Sequence, residues 1–594
     1  MKKNLKTWLS LLLVAAMLLS TLTACGSSSS DTEESTTTEE TEETTEEAEE
    51  SSAENSAETA DDGSSDLNLA DDQTLNILLS GTVNTLDPNA SGWTGEEQIY
   101  TQTQAGLFRI TSDGEGGDTY ELDGAESYEI SEDGLTYTFY LRENYWSDGE
   151  PVIAQHYVDS FLRNLDPDNG FSTTQYLDVL NAEAYYNGEV DASEVGVVAL
   201  DDYTVQYTLE APNSQFLYYL AYRSGFPARL DVIEAATSEY GTDPDEMVFC
   251  GPFVVTSWVK ENSVTLEKNE YYWDADNVYL TTVNMQYVAE ASTQATLFDA
   301  GQLDIVSYND DYGEDWEEAA ANGEINYIDQ VGAYTYFLAF AIENGGNSGL
   351  MGNAKIRLAL SLAIDREELV DVVWGRYEAA YTWVPPVSTV GTTTYNVSGE
   401  GLVKEQQEEY STDEALQALF QEGLEELGED TDLSAVSIDF VVEASTVANQ
   451  TQAEYIAQTW ENRLGITVNV DVTTDAEERQ NALDYDVGIN GWEGGSEPYD
   501  YLYVVNVPYG LKYLTGVYTN EYVNELLETV TSIADEAEKA EVYHEIEDTI
   551  LEEAGVGPLY FGDIKYFAQT WVEGVSYTTF GPAYDFSHAY ITAH

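Results

Sequence analysis

Apolar and polar positions along the chain follow two periods. Leu135, Tyr137, Phe139 and Leu141 face one way after Asp133-Gly134, the alternation of a strand entered from a hairpin turn. Val205, Tyr207 and Leu209 repeat that alternation. Ala154, Val158, Phe161, Leu162 and Leu165 recur instead at helical spacing. Asp166-Pro167 ends that run, because a residue before proline is pushed out of the helical region. Residues 436–472 join both periods. Ile438, Phe440 and Val442 alternate, a helical face of Ala453, Ile456, Ala457, Trp460 and Leu464 follows and stops at Gly465, and Ile466, Val468, Val470 and Val472 alternate again. This predicts a strand, helix, strand unit, which sets two strands parallel with a helix on the sheet face. The body therefore reads as mixed α and β, without internal repeats.

The first residues follow another pattern. Lys2, Lys3 and Lys6 precede an apolar run at 8–19, and Leu22-Thr23-Ala24-Cys25 follows, which predicts an export signal over 1–24. The run is shorter than the roughly 20 residues a membrane-spanning helix needs. Residues 26–66 are rich in Ser, Thr, Glu, Ala and Asp and hold no Lys, Arg or aromatic residue. Such a segment has no apolar area to offset chain entropy, so 25–71 is expected to be a disordered acidic tether, about 35 Å end to end as a flexible coil.

Composition narrows the chemistry. The chain has 112 acidic and 20 basic residues, a net charge of −92, which argues against nucleic acid or an anionic lipid surface as partner. About 525 residues follow the tether, enough for two or three lobes. Of the two cysteines, only Cys250 lies in the body, so no internal disulfide is expected there. No basic neighbour in sequence activates Cys250, which reads as a small buried residue. His156, His544, His588 and His594 are scattered, and no metal or cofactor motif is present, so neither group is expected. The stretch DPDNG at 166–170 lacks the later acidic ligand of a calcium loop and reads as a helix-ending turn. No GxSxG, phosphate loop or GxGxxG occurs, while the abundance of carboxylates leaves a glycosidase-like pair open.

Six stretches in order carry a resemblance: TLNILLSGTVNTLDP (74–88), YWSDGEPVIAQHYVDSFLRNLDP (145–167), FCGPFVVTSWVKENSVTLEKNEYYWDA (249–275), ASTQATLFDAGQLDI (291–305), AKIRLALSLAIDREELVDVV (354–373) and AEYIAQTWENRLGITVNV (453–470). Together they resemble the extracellular solute-binding proteins of family 5, the oligopeptide and dipeptide receptors of ABC importers, over residues 72–594. Physically, these stretches read as fold signatures. Asp148-Gly149 makes a turn plugged by Trp146, and Asp365 caps a helix with Glu368 three residues on and Leu369, Val370 and Val373 toward the core.

The resemblance implies an α/β fold, a three-lobed class II periplasmic-binding-protein-like clamp with mixed sheets. Lobe I would comprise 72–117, 243–340 and 555–594, lobe II 118–242, and lobe III 341–554. A ligand would lie between lobes I and III, which close on it. The Leu-Thr-Ala-Cys ending resembles a lipoprotein signal with Cys25 acylated. The expected protein is thus a monomeric, non-enzymatic receptor on the outer face of the cytoplasmic membrane, passing oligopeptides to a permease with ATPase subunits.

By the same resemblance, an extended peptide would run against Thr82, Val83 and Asn84 on one side and Gly491, Trp492, Glu493 and Gly494 on the other, with Tyr334 and Tyr336 nearby. Gly491 would let the ligand backbone approach closely. The sequence departs from the peptide-receptor pattern at one place. An aspartate is expected two or three residues after Gly-Trp to hold the peptide ammonium, and Gly494 and Gly495 stand there. Glu493, Glu497 and Asp500 are the candidates to replace it. If none does, the alternative is the same receptor for an oligosaccharide or another small solute, with Trp492 offering a face to a sugar. A surface hydrolase is the third reading.

Overall fold

The computed structural model describes residues 67–594 apart from 91–93, 113–116, 172–177, 214, 237–238, 310, 392, 396–400, 445, 506–515 and 534. Cys25, the export signal and the tether up to residue 66 lie outside the described residues. Among these no helix is long and apolar enough to cross a membrane.

Leu69–His594 forms one compact unit built on two large hydrophobic cores. Two four-stranded sheets supply the first core. One runs in the order Thr74–Leu78, Thr282–Gln286, Ser263–Lys268, Phe253–Val259, with only its first pair parallel. The other runs Ala125–Ile130, Thr136–Leu141, Thr204–Thr208, Val197–Asp201 and is antiparallel throughout. The expected alternation is present: Tyr137, Phe139, Leu141, Val205 and Tyr207 are buried, and Gly134 turns the hairpin at φ +68°. The helix Ala154–Leu165 lays Tyr157, Val158, Phe161 and Leu165 inward, and the Phe161 and Tyr207 rings meet edge to face at 5.5 Å.

The second core is gathered from residues 337–560. Its strand, helix, strand unit is Ser437–Glu443, Val447–Leu464 and Thr467–Thr473, with the strands parallel in the register Ile438↔Val468 and Phe440↔Val470. Thr446 caps the helix by accepting from Asn449 N at 3.1 Å, and Gly465 closes it at φ +75°. Trp460 is fully buried and donates to Leu360 O at 2.7 Å. Asp365 likewise caps Arg366–Leu369, accepting from Glu368 N at 3.0 Å.

Two long strands join these regions. Ile325–Phe340 and Gly557–Gln569 lie side by side in a seven-stranded mixed sheet ordered Ile305–Ser307, Gly557–Gln569, Ile325–Phe340, Val487–Glu493, Ser437–Glu443, Thr467–Thr473, with Glu378–Ala379 off its side. One end of this pair packs Phe567 with Phe298, Leu303 and Trp316, and the other places Phe337, Leu338, Phe340 and Tyr560 in the second core. Their register shifts twice: between Val331↔Asp563 and Thr335↔Phe561 three residues stand opposite one, and between Tyr336↔Tyr560 and Phe337↔Pro558 one residue, Leu559, is left without an opposite.

The FCGPF stretch has a steric explanation. Cys250 N and Gly251 N both donate to Thr103 O, at 3.2 and 2.9 Å, drawing two backbones together. A Cβ on Gly251 would lie 2.6 Å from Thr103 C and Gln104 N, where no flexible side chain can yield. The Cys250 thiol is fully buried, and burial pushes its pKa up to about 12, so it is inert as a nucleophile. Gly251→Ala is therefore expected to cost about 1–3 kcal/mol through forced backbone displacement, measurable as a lower denaturant midpoint at unchanged slope.

Candidate functional site

The strand Val487–Glu493 pairs antiparallel with Ile325–Phe340 in the register Gly491↔Tyr336, Trp492↔Thr335 and Glu493↔Tyr334. Five residues named from the sequence thus meet on adjacent strands. Strand alternation divides them by face. Gly491 and Glu493 share one face with Tyr334 and Tyr336, while Trp492 shares the other with Thr335. Thr335 is fully buried and donates to Trp383 O at 3.1 Å. Half-buried Trp492 packs against the second core, and its indole N–H donates to Asp500 O at 3.0 Å.

Gly491 has a close neighbour within the protein itself. A Cβ there would sit 2.0 Å from Tyr334 Cε1, so the glycine makes room for the protein's own tyrosine ring. That ring lies 4.8 Å from Tyr336, which stacks on Tyr560 at 4.7 Å. Gly494 in turn makes room for the Tyr501 ring, 2.7 Å from where its Cβ would be.

At Gly495 the added Cβ would lie 2.2 Å from Asp500 Oδ2, and Gly495 N donates to the same oxygen at 3.2 Å. The Asp500 carboxylate therefore occupies the space into which a side chain at 495 would project. Burial, reinforced by Glu497, raises its pKa to about 7. Glu497 itself is 3% exposed and bound to Lys539 Nζ at 3.1 Å, an ion pair inside the protein. Glu493 is exposed to water, and desolvation by the surrounding protein raises its pKa too. Among the described residues no basic side chain pairs with Glu493 or Asp500.

A tyrosine-rich wall faces these acids. Tyr120 donates to Ser496 Oγ at 3.3 Å and meets Tyr218 edge to face at 5.8 Å. The Tyr218 and Tyr222 hydroxyls are 3.0 Å apart. Gln215 accepts from Tyr219 OH at 2.6 Å, while its Nε2 faces Asp500 and favours the charged form without completing a well-formed hydrogen bond among the described residues. Burial raises the Tyr218 and Tyr219 hydroxyls, and Asp500 adds to both shifts. The sequence reading missed this wall. Gln215, Tyr218, Tyr219 and Tyr222 recur at i, i+3, i+4 and i+7, a helical stripe that could have marked it.

Thr82, Val83 and Asn84 belong to the loop after Thr74–Leu78. Asn84 N and Nδ2 donate to Glu96 Oε1 at 2.6 and 3.1 Å, Val83 is buried in the first core, and Thr82 is exposed. No hydrogen bond among the described residues joins these three to the paired strands. Nor do any three His, Cys, Asp or Glu side chains among the described residues gather to hold a metal ion.

Known proteins resemble this chain in sequence and fold. The model of the bacterial extracellular solute-binding proteins, family 5 Middle, matches residues 119–510. The oligopeptide-binding protein OppA of Bacillus subtilis is 28% identical over 513 residues, covering 84% of this chain and 88% of its own. The substrate-binding domain of an oligopeptide ABC transporter from Bacillus anthracis matches at TM-score 0.63 and 27% identity, covering 89% of this chain and 100% of its own. Listeria monocytogenes OppA bound to peptide matches at TM-score 0.62 and 25% identity, covering 88% and 100%. The fold is thus the three-lobed α/β clamp with mixed sheets, of a group that binds solutes for ABC importers and is not enzymatic. With the family model spanning well over half of its length, this chain belongs to family 5 of the bacterial extracellular solute-binding proteins.

Proposed function

We propose that this protein is the lipid-anchored receptor of an ABC importer that captures oligopeptides in a cleft and delivers them to a membrane permease. The observation that carries the ligand class is the Asp500 carboxylate seated over Gly495, beside the strand Val487–Glu493. An acid at that point holds the ammonium of a peptide whose backbone runs along the wall of Gly491, Trp492, Glu493 and Gly494, with Tyr334 and Tyr336 beside it and Thr82, Val83 and Asn84 opposite. Backbone pairing accounts for tolerance of sequence, since every peptide offers the same N–H and C=O groups. Lobe I is taken as 72–117, 243–340 and 555–594, lobe II as 118–242 and lobe III as 341–554. Ligand favours the closed arrangement of lobes I and III, and the permease distinguishes loaded from empty receptor by that closure. Cys25 carries the lipid, 25–71 is the tether, and the receptor works as a monomer with permease and ATPase subunits. The oligosaccharide alternative draws less support, because the Trp492 indole is half-buried against the second core and its N–H already binds Asp500 O.

Calorimetric titration with tri- to pentapeptides, their N-acetylated forms and xylo-oligosaccharides tests the ligand class. Asp500→Asn is expected to weaken binding of free peptides roughly ten- to hundredfold, the value of one charged hydrogen bond, and to leave acetylated peptides nearly unaffected. Equal losses for both, or binding of sugars alone, would contradict the assignment. The pH dependence has a definite sign. The ammonium binds the carboxylate form, so affinity should fall as pH drops through about 7 and approach a tenfold loss per unit below it. Asp500→Asn should flatten that limb. Cys25→Ala should move the protein from the membrane fraction to the medium; retention in membranes would refute the anchor.

A further inference from the structure

The two acids are unequally explained by a peptide terminus, which has one ammonium. Asp500 accepts from Gly495 N, whereas the Glu493 side chain has no partner among the described residues and stands on the face of Tyr334 and Tyr336. The cations around them are all engaged. Arg376 pairs with Asp563 at 3.3 Å and lies over the rings of Tyr377 and Tyr308 at 4.5 and 4.7 Å. Lys565 is held by Glu317 at 3.1 Å, Lys539 by Glu497 at 3.1 Å, and Arg223 by Glu97 at 3.0 Å. A ligand carboxylate entering here meets no uncommitted base among these, while a ligand cation meets two open carboxylates.

Gln215 adds a separate sign of a ligand. It is only 7% exposed, and its Nε2 faces Asp500 closely enough to favour the charged form without completing a well-formed hydrogen bond among the described residues. A carbonyl oxygen next to a bound ammonium would complete the hydrogen bonding of that buried donor. The first peptide unit of an oligopeptide has both groups in that order.

We infer that the receptor selects cationic oligopeptides, with Glu493 as a specificity-determining residue that receives a Lys or Arg side chain from the first or second ligand position. This rests on the peptide-receptor reading above. Glu493 and position 495, whose side-chain space Asp500 fills, are two residues apart, at most about 7 Å along the chain. The α-ammonium and a basic side chain of the first two ligand residues span such a distance. Tyr334 and Tyr336 on the same face give the incoming cation aromatic surface, which attracts it further. The net charge of −92 draws cations toward the protein before contact.

The test is a calorimetric comparison of Ala-Ala-Ala-Ala, Lys-Ala-Ala-Ala, Ala-Lys-Ala-Ala, Ala-norleucine-Ala-Ala and Ala-Glu-Ala-Ala on the full chain, wild type and Glu493→Gln, each checked for folding by circular dichroism. At least one lysine peptide should bind wild type about tenfold more tightly than the norleucine peptide, and the glutamate peptide more weakly than either. Raising salt from low to molar should shrink that ratio, and Glu493→Gln should bring it close to one. Equal binding of lysine and norleucine peptides by wild type, or an undiminished ratio in Glu493→Gln, overturns charge selection and leaves the peptide receptor standing. If no tetrapeptide binds wild type at all, both readings fall together.

Discussion

Everything in the site depends on the pairing of two strands that are each too long for one core. Ile325–Phe340 and Gly557–Gln569 run from one hydrophobic cluster into another, and their ladder is interrupted where Gly332, Ala333 and Tyr334 stand against Gly562. A bulge bends its strand and re-aims a side chain. Here it tips Tyr334 over the space left by Gly491, and it leaves Ala333 O to accept from Tyr501 OH. Tyr501 is the neighbour of Asp500. The interruption in the ladder and the placement of the acid are therefore one structural event, shared through adjacent residues of the short helix Tyr499–Val505.

Below that lies a supporting layer made by one helix. Glu536–Glu552 contributes Lys539, which neutralises Glu497, and Glu547, which accepts from Trp383 N and Val384 N at 2.7 and 2.8 Å and from Tyr395 OH at 2.9 Å. Burial raises the Glu547 pKa to about 7, so these three donors act against a strong desolvation cost. Trp383 passes the constraint on: its carbonyl receives Thr335 Oγ1, and its indole N–H reaches Tyr501 O at 2.7 Å. In a chain with so few bases, each of the cations Arg223, Arg376, Lys539 and Lys565 is already paired with an acid of the protein. The charge left without a basic partner at Glu493 and Asp500 is consequently negative.

The elements were legible where one periodicity governs a whole segment. The hairpin at Gly134, the helix ending at Leu165, the parallel unit around Trp460 and the cap at Asp365 all follow from local pattern. The start of the helix Val447–Leu464 was not: its first turns are polar, and only the Thr446 cap marks them. Val470 keeps the expected alternation but is 39% exposed, on a strand at the edge of the sheet, while Val468 and Val472 on the same face pack against the second core. In the site, the sequence named both paired segments but could not reveal their register, which joins residues more than 150 positions apart. It also could not tell that the glycines accommodate Tyr334, Tyr501 and Asp500, since a glycine's neighbours in space are not its neighbours in the chain.

That last point changes how a missing residue is to be understood. Position by position, the chain lacks the acid expected after Gly-Trp, and Gly495 looks like a loss. In three dimensions the glycine makes room for another acid: with any Cβ at 495, the Asp500 carboxylate could not hold its place against Gly495 N. A receptor recognises an ammonium by where negative charge is fixed, and that location can be reached from a later residue if the earlier one withdraws its side chain. On the proposed reading the two positions form a single device. The same reasoning ranks the three acids named from the sequence. Glu497 is consumed by Lys539, Glu493 keeps water around it, and Asp500 alone combines partial burial, a backbone donor and an unanswered charge.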